Sequence, residues 1–95
     1  MEPVPYPLDG VLDLHVFAPR EAADVVREYL RACREAGVLQ VRIIHGKGTG
    51  VLRRRVHSVL DRLPYVSRYH LAYQDVGSWG ATVAYLDPED TPPTP

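Results

Sequence analysis

Ninety-five residues, 45% of them hydrophobic and 24% charged, make one ordinary globular domain with a single modest core and exclude a disordered chain. The lone cysteine, Cys33, excludes an internal disulfide, and no apolar run approaches the roughly 18 residues of a membrane span. A net charge of −1 does not mark the whole molecule as a nucleic-acid binder, and the proline-rich start MEPVPYP is not a secretory leader, so a cytoplasmic chain is expected.

Residues 1–10 carry three prolines and no periodicity, and are expected to form an extended lead-in. The run Val11 to His15 predicts a first strand, with Leu12 and Leu14 toward the core and Asp13 and His15 together on the other face. Pro19 opens a helix that continues from Arg20 to Ala36, with Ala22, Val26, Tyr29, Leu30 and Cys33 at helical spacing, and Gly37 stops it. Cys33 on that stripe reads as a buried free thiol. Gln40 to Ile44 is a second strand. A second helix from about Gly50 to Leu63 has its apolar stripe at Leu52, Val56, Val59, Leu60 and Leu63, leaving Arg53, Arg54, His57 and Asp61 largely outward. Val66 to Ala72 and Ala81 to Leu86 read as third and fourth strands, and the acidic, proline-rich tail 87–95 as flexible.

The fold class is therefore α/β (α+β): a β-α-β-α-β-β two-layer sandwich, with a four-stranded mixed sheet and two helices on one face. Right-handed crossovers make the first three strands parallel, and a fourth returning antiparallel starts at the edge where they end. Three distant segments then converge at the edge where open α/β sheets bind ligands: His15, the loop His45 to Gly50, and the loop Gly77 to Gly80.

The loop His-Gly-Lys-Gly-Thr-Gly between the second strand and second helix is the most informative stretch. Gly46, Gly48 and Gly50 permit positive φ and close approach to bare amides, the following helix offers its positive end, and Lys47 adds a mobile charge. Together they make an anion site suited to phosphate. It is not a nucleotide P-loop, which has four residues between its glycines and then Lys followed by Ser or Thr. Arg42, Lys47, Arg53, Arg54, Arg55, Arg62 and Arg68 face a single acid, Asp61, within residues 42–68, so charge is concentrated where phosphate is expected. Arg53, Arg54 and Arg55 would hold backbone without reading sequence.

With Leu-Asp-Leu-His at 12–15, His-Gly-Lys-Gly-Thr-Gly at 45–50 and Gly-Ser-Trp-Gly-Ala-Thr at 77–82, the chain resembles the Smr (small MutS-related) domain family over residues 11–86. The resemblance implies a sandwich like the C-terminal domain of translation initiation factor three, and nucleic-acid binding with endonuclease activity on DNA or RNA. Asp13 and His15 match the family's Asp-x-His, and His45, Gly46, Lys47 and Gly48 its His-Gly-Lys/Arg-Gly loop. Gly77, Gly80 and Thr82 match its third motif. Two positions depart from the family pattern: Val16 replaces the usual glycine after Asp-x-His, and Ser78 and Trp79 stand where glycine and a polar residue are common. A free-standing member is expected, acting in repair, recombination or RNA processing.

The expected chemistry is hydrolysis of a phosphodiester, with His15 as general base or acid oriented by Asp13 and His45 as a second proton-transfer candidate. Gly46, Lys47, Gly48, Thr49, Gly50, Arg53 and Arg54 would bind phosphate; Gly77, Trp79, Gly80 and Thr82 would complete the nucleic-acid surface, with Trp79 able to stack on a base. No protein metal centre is expected, since the four histidines lack ligand spacing; a divalent cation, magnesium or manganese, on Asp13 is the one cofactor considered, and one carboxylate is thin support. His57 and His70 read as surface or structural. The alternative is a non-catalytic DNA- or RNA-binding module, which has little need of an acid beside its phosphate site.

Overall fold

The computed structural model describes residues 7–46, 48–72 and 80–89. Four strands, β1 (Val11–Asp13), β2 (Gln40–Ile44), β3 (Val66–Leu71) and β4 (Ala81–Leu86), alternate with two helices, α1 (Ala22–Glu35) and α2 (Val51–Arg62), in the expected order. The mixed sheet runs β1-β2-β4-β3, with β1 and β2 parallel and β4 antiparallel to both its neighbours. β1, β2 and β3 therefore share a direction, and their C-terminal ends meet the start of β4 at one edge.

Alternation decides which face each strand residue joins. Leu12, Val41, Ile43, Ala84 and Leu86 point to the helix side and form one core with Val26, Tyr29, Leu30 and Cys33 of α1 and Val56, Val59 and Leu60 of α2. Leu30, Ile43 and Leu60 are at most 2% exposed, and each such burial contributes roughly 1.5–3 kcal/mol. Both helices thus cover one face. The opposite face carries a smaller cluster of Ala72, Ala81 and Val83 flanked by Ile44 and Tyr85, with the Arg68 guanidinium 4.1 Å over the Tyr85 ring.

Tyr29 ties the end of the lead-in to the core. Its hydroxyl accepts the Gly10 N–H at 3.1 Å and lies 3.2 Å from the carbonyls of Pro7 and Val11. At the other end, Arg34 donates to the carbonyls of Asp87 and Pro88 at 2.8 and 3.1 Å, so the start of the tail expected to be flexible is held to α1.

Several boundaries differ from expectation. β1 stops at Asp13, and Leu14–Val16 form a 3-10 turn because the Asp13 carboxylate accepts the His15 N–H at 2.9 Å and caps it. A second such turn, Pro19–Glu21, precedes α1. Gly50, at φ +88°, stands outside α2 as its N-terminal cap, β3 ends one residue early, and Leu52 and Leu63 are only half-buried.

Candidate functional site

Asp13 sits on the last β1 residue and His15 in the turn it caps. The imidazole Nδ1 lies 2.7 Å from Asp13 Oδ1. A carboxylate only accepts, so Nδ1 carries the proton and Nε2 is left as the working nitrogen. The hydrogen bond from the His15 backbone, followed by the ring, holds the Asp13 carboxyl below its usual range and keeps it ionised. Both side chains are about half exposed, at 59% for His15 and 49% for Asp13. The strand-face pairing expected from alternation is replaced by this cap, which brings the same two groups together more tightly.

His15 Nε2 rests on Gly46. A β-carbon built on Gly46 would lie 2.9 Å from that nitrogen, and the residue is at φ +84°. Glycine is required there twice over, for its backbone and for the seat it gives the imidazole.

The loop behind Gly46 is held by β4. Gly80 C=O accepts both the His45 N–H at 2.9 Å and the Gly46 N–H at 2.8 Å. Gly46 therefore does not offer the bare amide to phosphate that its place in the loop suggests, and Gly80 acts as a clamp on the loop. The amides of Gly48, Thr49 and Gly50 have no acceptor among the described residues, and the first turn of α2 adds unpaired N–H groups and its positive end. This stretch borders a cavity of about 280 Å³ lined by Gly46, Gly48, Thr49, Gly50, Pro19 and Arg53, among others. The Arg53 and Arg54 guanidiniums fold over Gly50, within 2.8 and 3.1 Å of where its β-carbon would stand. Gly48, Thr49, Gly50, Arg53 and Arg54 thus lie together on one surface at the start of α2. Lys47, Gly77 and Trp79 lie outside the described residues.

His45 and Thr82 reach the site but are buried beneath it, 3% and 0% exposed. Neither is placed to touch a phosphate at the surface. His45 Nδ1 lies 3.0 Å from the Gly46 carbonyl, its Nε2 2.9 Å from Thr82 Oγ1, and His57 Nε2 is 2.8 Å from the same hydroxyl. The carbonyl accepts, so Nδ1 of His45 donates. Burial lowers the His45 pKa despite that carbonyl, helped by Arg53 and His15 nearby, and the ring is neutral with a bare Nε2. Thr82 then donates its only O–H to His45, and its oxygen accepts from His57 Nε2–H. Burial, together with His45 and Arg53, lowers the His57 pKa as well. The chain His57, Thr82, His45, Gly46 runs in one direction and ends at the residue that seats His15.

His57 is half-buried rather than outward, with its ring 4.7 Å from that of Tyr69, whose hydroxyl donates to Asp61 at 2.7 Å. Sequence reasoning places it among structural histidines and misses its link to the loop. The helical period marks His57 as a flank position, and its partner stands 25 residues away. His70 lies on the opposite sheet face, 3.2 Å from the Tyr85 hydroxyl. Among the described residues no group of three or more His, Cys, Asp or Glu side chains converges to hold a metal ion, and no helix is long and apolar enough to cross a membrane.

A family model described as the Smr domain matches residues 12–87. Endonuclease MutS2 of Halothermothrix orenii and that of Carboxydothermus hydrogenoformans are each 44% identical over 75 residues, 79% of this chain and 10% of theirs. The chain thus spans about a tenth of these relatives. Among solved structures, the Smr domain of Thermus thermophilus MutS2 matches with a TM-score of 0.75 at 35% identity, covering 82% of this chain and 98% of that one. YdaL, a stand-alone small MutS-related protein from Escherichia coli, matches with a TM-score of 0.76 at 27% identity, covering 86% and 67%.

Proposed function

The chain belongs to the Smr domain family, and from that premise we propose that it is a nucleic-acid-binding endonuclease that cuts the phosphodiester backbone of DNA or RNA. The observation that carries the proposal is the Asp13–His15 pair, a 2.7 Å contact that leaves Nε2 of a half-exposed imidazole directed at the glycine loop. A module that only binds phosphate gains nothing from a carboxylate beside it, whereas a general base needs one to fix its tautomer and stabilise the imidazolium.

In this mechanism the scissile phosphate sits against the amides of Gly48 to Gly50 and the guanidiniums of Arg53 and Arg54, with Lys47 as a further cation. His15 Nε2 takes a proton from the attacking water as its oxygen bonds to phosphorus. The P–O bond to the departing strand breaks and the imidazolium returns the proton to the leaving oxygen, while the charge developing on the phosphate oxygens is met by donors already in place. His45 and Thr82 serve from behind, by holding Gly46. The names of the MutS2 relatives, which are endonucleases, support the reaction class; a cytoplasmic role in repair, recombination or RNA processing accords with it.

The test is cleavage of supercoiled plasmid and of single-stranded RNA by purified protein, with magnesium, manganese or EDTA, beside His15→Ala. Cutting by the wild type and its loss by at least about a hundredfold in the variant, with nucleic-acid binding and melting temperature kept, is the expected result. The EDTA arm decides whether cleavage needs a divalent ion. An unchanged rate in His15→Ala removes His15 from the chemistry; absence of cutting on either substrate alongside salt-sensitive binding leaves the binding module.

A further inference from the structure

We propose that the cleft between α1 and α2 is a second phosphate-binding track, which holds one strand of the nucleic acid flanking the bond to be cut. The proposal rests on the endonuclease assignment for its purpose and on a separate part of the molecule for its support.

The cleft has a volume of about 490 Å³, and half of the eight described residues that line it are arginines: Arg27 from α1 and Arg54, Arg55 and Arg62 from α2. No carboxylate lines it among the described residues. The α2 arginines recur with the helical period along one stripe, from Val51 through Arg54, Arg55 and Ser58 to Arg62, so their guanidiniums follow the cleft rather than fan around the helix. Val51 lines this cleft and also the cavity beside the glycine loop, which places the two side by side. Arg54, folded over Gly50, stands at the junction.

The arginines are available for a ligand. Among the described residues Arg27 is paired only with Asp24, three residues away and 82% exposed, a contact that phosphate readily displaces. Arg55 gives one N–H to the Pro19 carbonyl at 2.9 Å and keeps the rest of its fork. Planar forks of this kind match phosphate oxygens in pairs, and a row of them with no acid among them fits a polyanion. From Val51 to Arg62 the stripe extends about 16 Å, the length of roughly five nucleotides of a stacked strand at about 3.4 Å each. Asp61, the one acid of the basic segment, is not among the residues that line the cleft and accepts from the Tyr69 hydroxyl. DNA and RNA present the same backbone here, and both serve as probes.

The experiment is fluorescence anisotropy with labelled single-stranded DNA and RNA of about 4 and about 12 nucleotides, at several salt concentrations, for the wild type and Arg27→Glu/Arg62→Glu. The wild type is expected to gain at least about tenfold in affinity from the shorter to the longer strand, and the variant less than about twofold, with a salt slope shallower by about 0.7 for each phosphate no longer held. Arg27→Gln/Arg62→Gln, which adds no repulsion from Asp24 and guards against unfolding, should fall between the two. A variant whose length gain and salt slope equal those of the wild type overturns the track. Cleavage separates the two proposals: a wild type that shows the length gain but cuts nothing retains the track and loses the nuclease, and one that cuts while Arg27→Glu/Arg62→Glu keeps the full gain retains the nuclease and loses the track. A wild type that binds neither strand overturns the track outright.

Discussion

Thr82 has one proton to give and two imidazoles that claim it, and the direction of the chain through it follows from the single carbonyl at its far end. Thr82→Val keeps the shape and removes the hydroxyl, leaving an acceptor on buried His45 and a donor on half-buried His57 unpaired; the buried one costs roughly 1–3 kcal/mol. A fall of several degrees in melting temperature is expected by calorimetry, at about 4–8 °C per kcal/mol for a domain of this size. Protonation should act on the same chain. Burial holds both imidazoles below the histidine reference of 6.5, so the unfolded chain takes up protons first as pH falls. Their contribution to stability is complete above that value and declines beneath it, and a melt series through mildly acidic pH is expected to show that decline. A flat profile there would mean that the rings charge equally well in the fold. Period and composition locate the core side chains, such as Leu12, Leu14, Tyr29 and Cys33, because each position answers to its own burial. His57 is not legible in the same way, since its role depends on a partner across the fold.

β1 is legible in the sequence as an element and not in its end. The run Val11 to His15 alternates well enough to predict five strand residues, but Asp13 offers the backbone a competing acceptor and converts the last two into a turn. The gain is chemical, because the turn draws the His15 ring onto the same carboxylate. Asp13→Asn separates the two duties. An asparagine oxygen still caps the His15 N–H, so the melting temperature should change little; the ring loses its anionic partner, and kcat should fall by about 10²-fold or more. Asp13→Ala removes both and should lower stability as well, by about 1 kcal/mol. Equal rates for Asp13→Asn and wild type would show that the carboxylate serves only as a cap. The second strand can be read to the residue, Gln40 to Ile44, since β-branched residues run up to the histidine and glycines that follow. What spacing does not say is that the Gly46 amide is already engaged by Gly80.

The topology of the whole molecule is inferable from crossover handedness, including the shared direction of the first three strands and the edge where the loops gather. The place of β4 inside the sheet is not, because order within a sheet depends on pairing between strands far apart in sequence. That placement has a consequence in time. β4 is synthesised after the two strands it lies between, and β2 and β3 have no strand to join them until it arrives. Gly80, which clamps the loop, and Thr82, which orders the imidazoles behind it, belong to that strand or its threshold. A chain ended at Leu71 should therefore give no cooperative melt by circular dichroism, rather than a smaller domain with a partial site. The seat for His15 is in this way the product of long-range pairing, complete only once β4 has slid between β2 and β3 and Gly80 has closed on the loop.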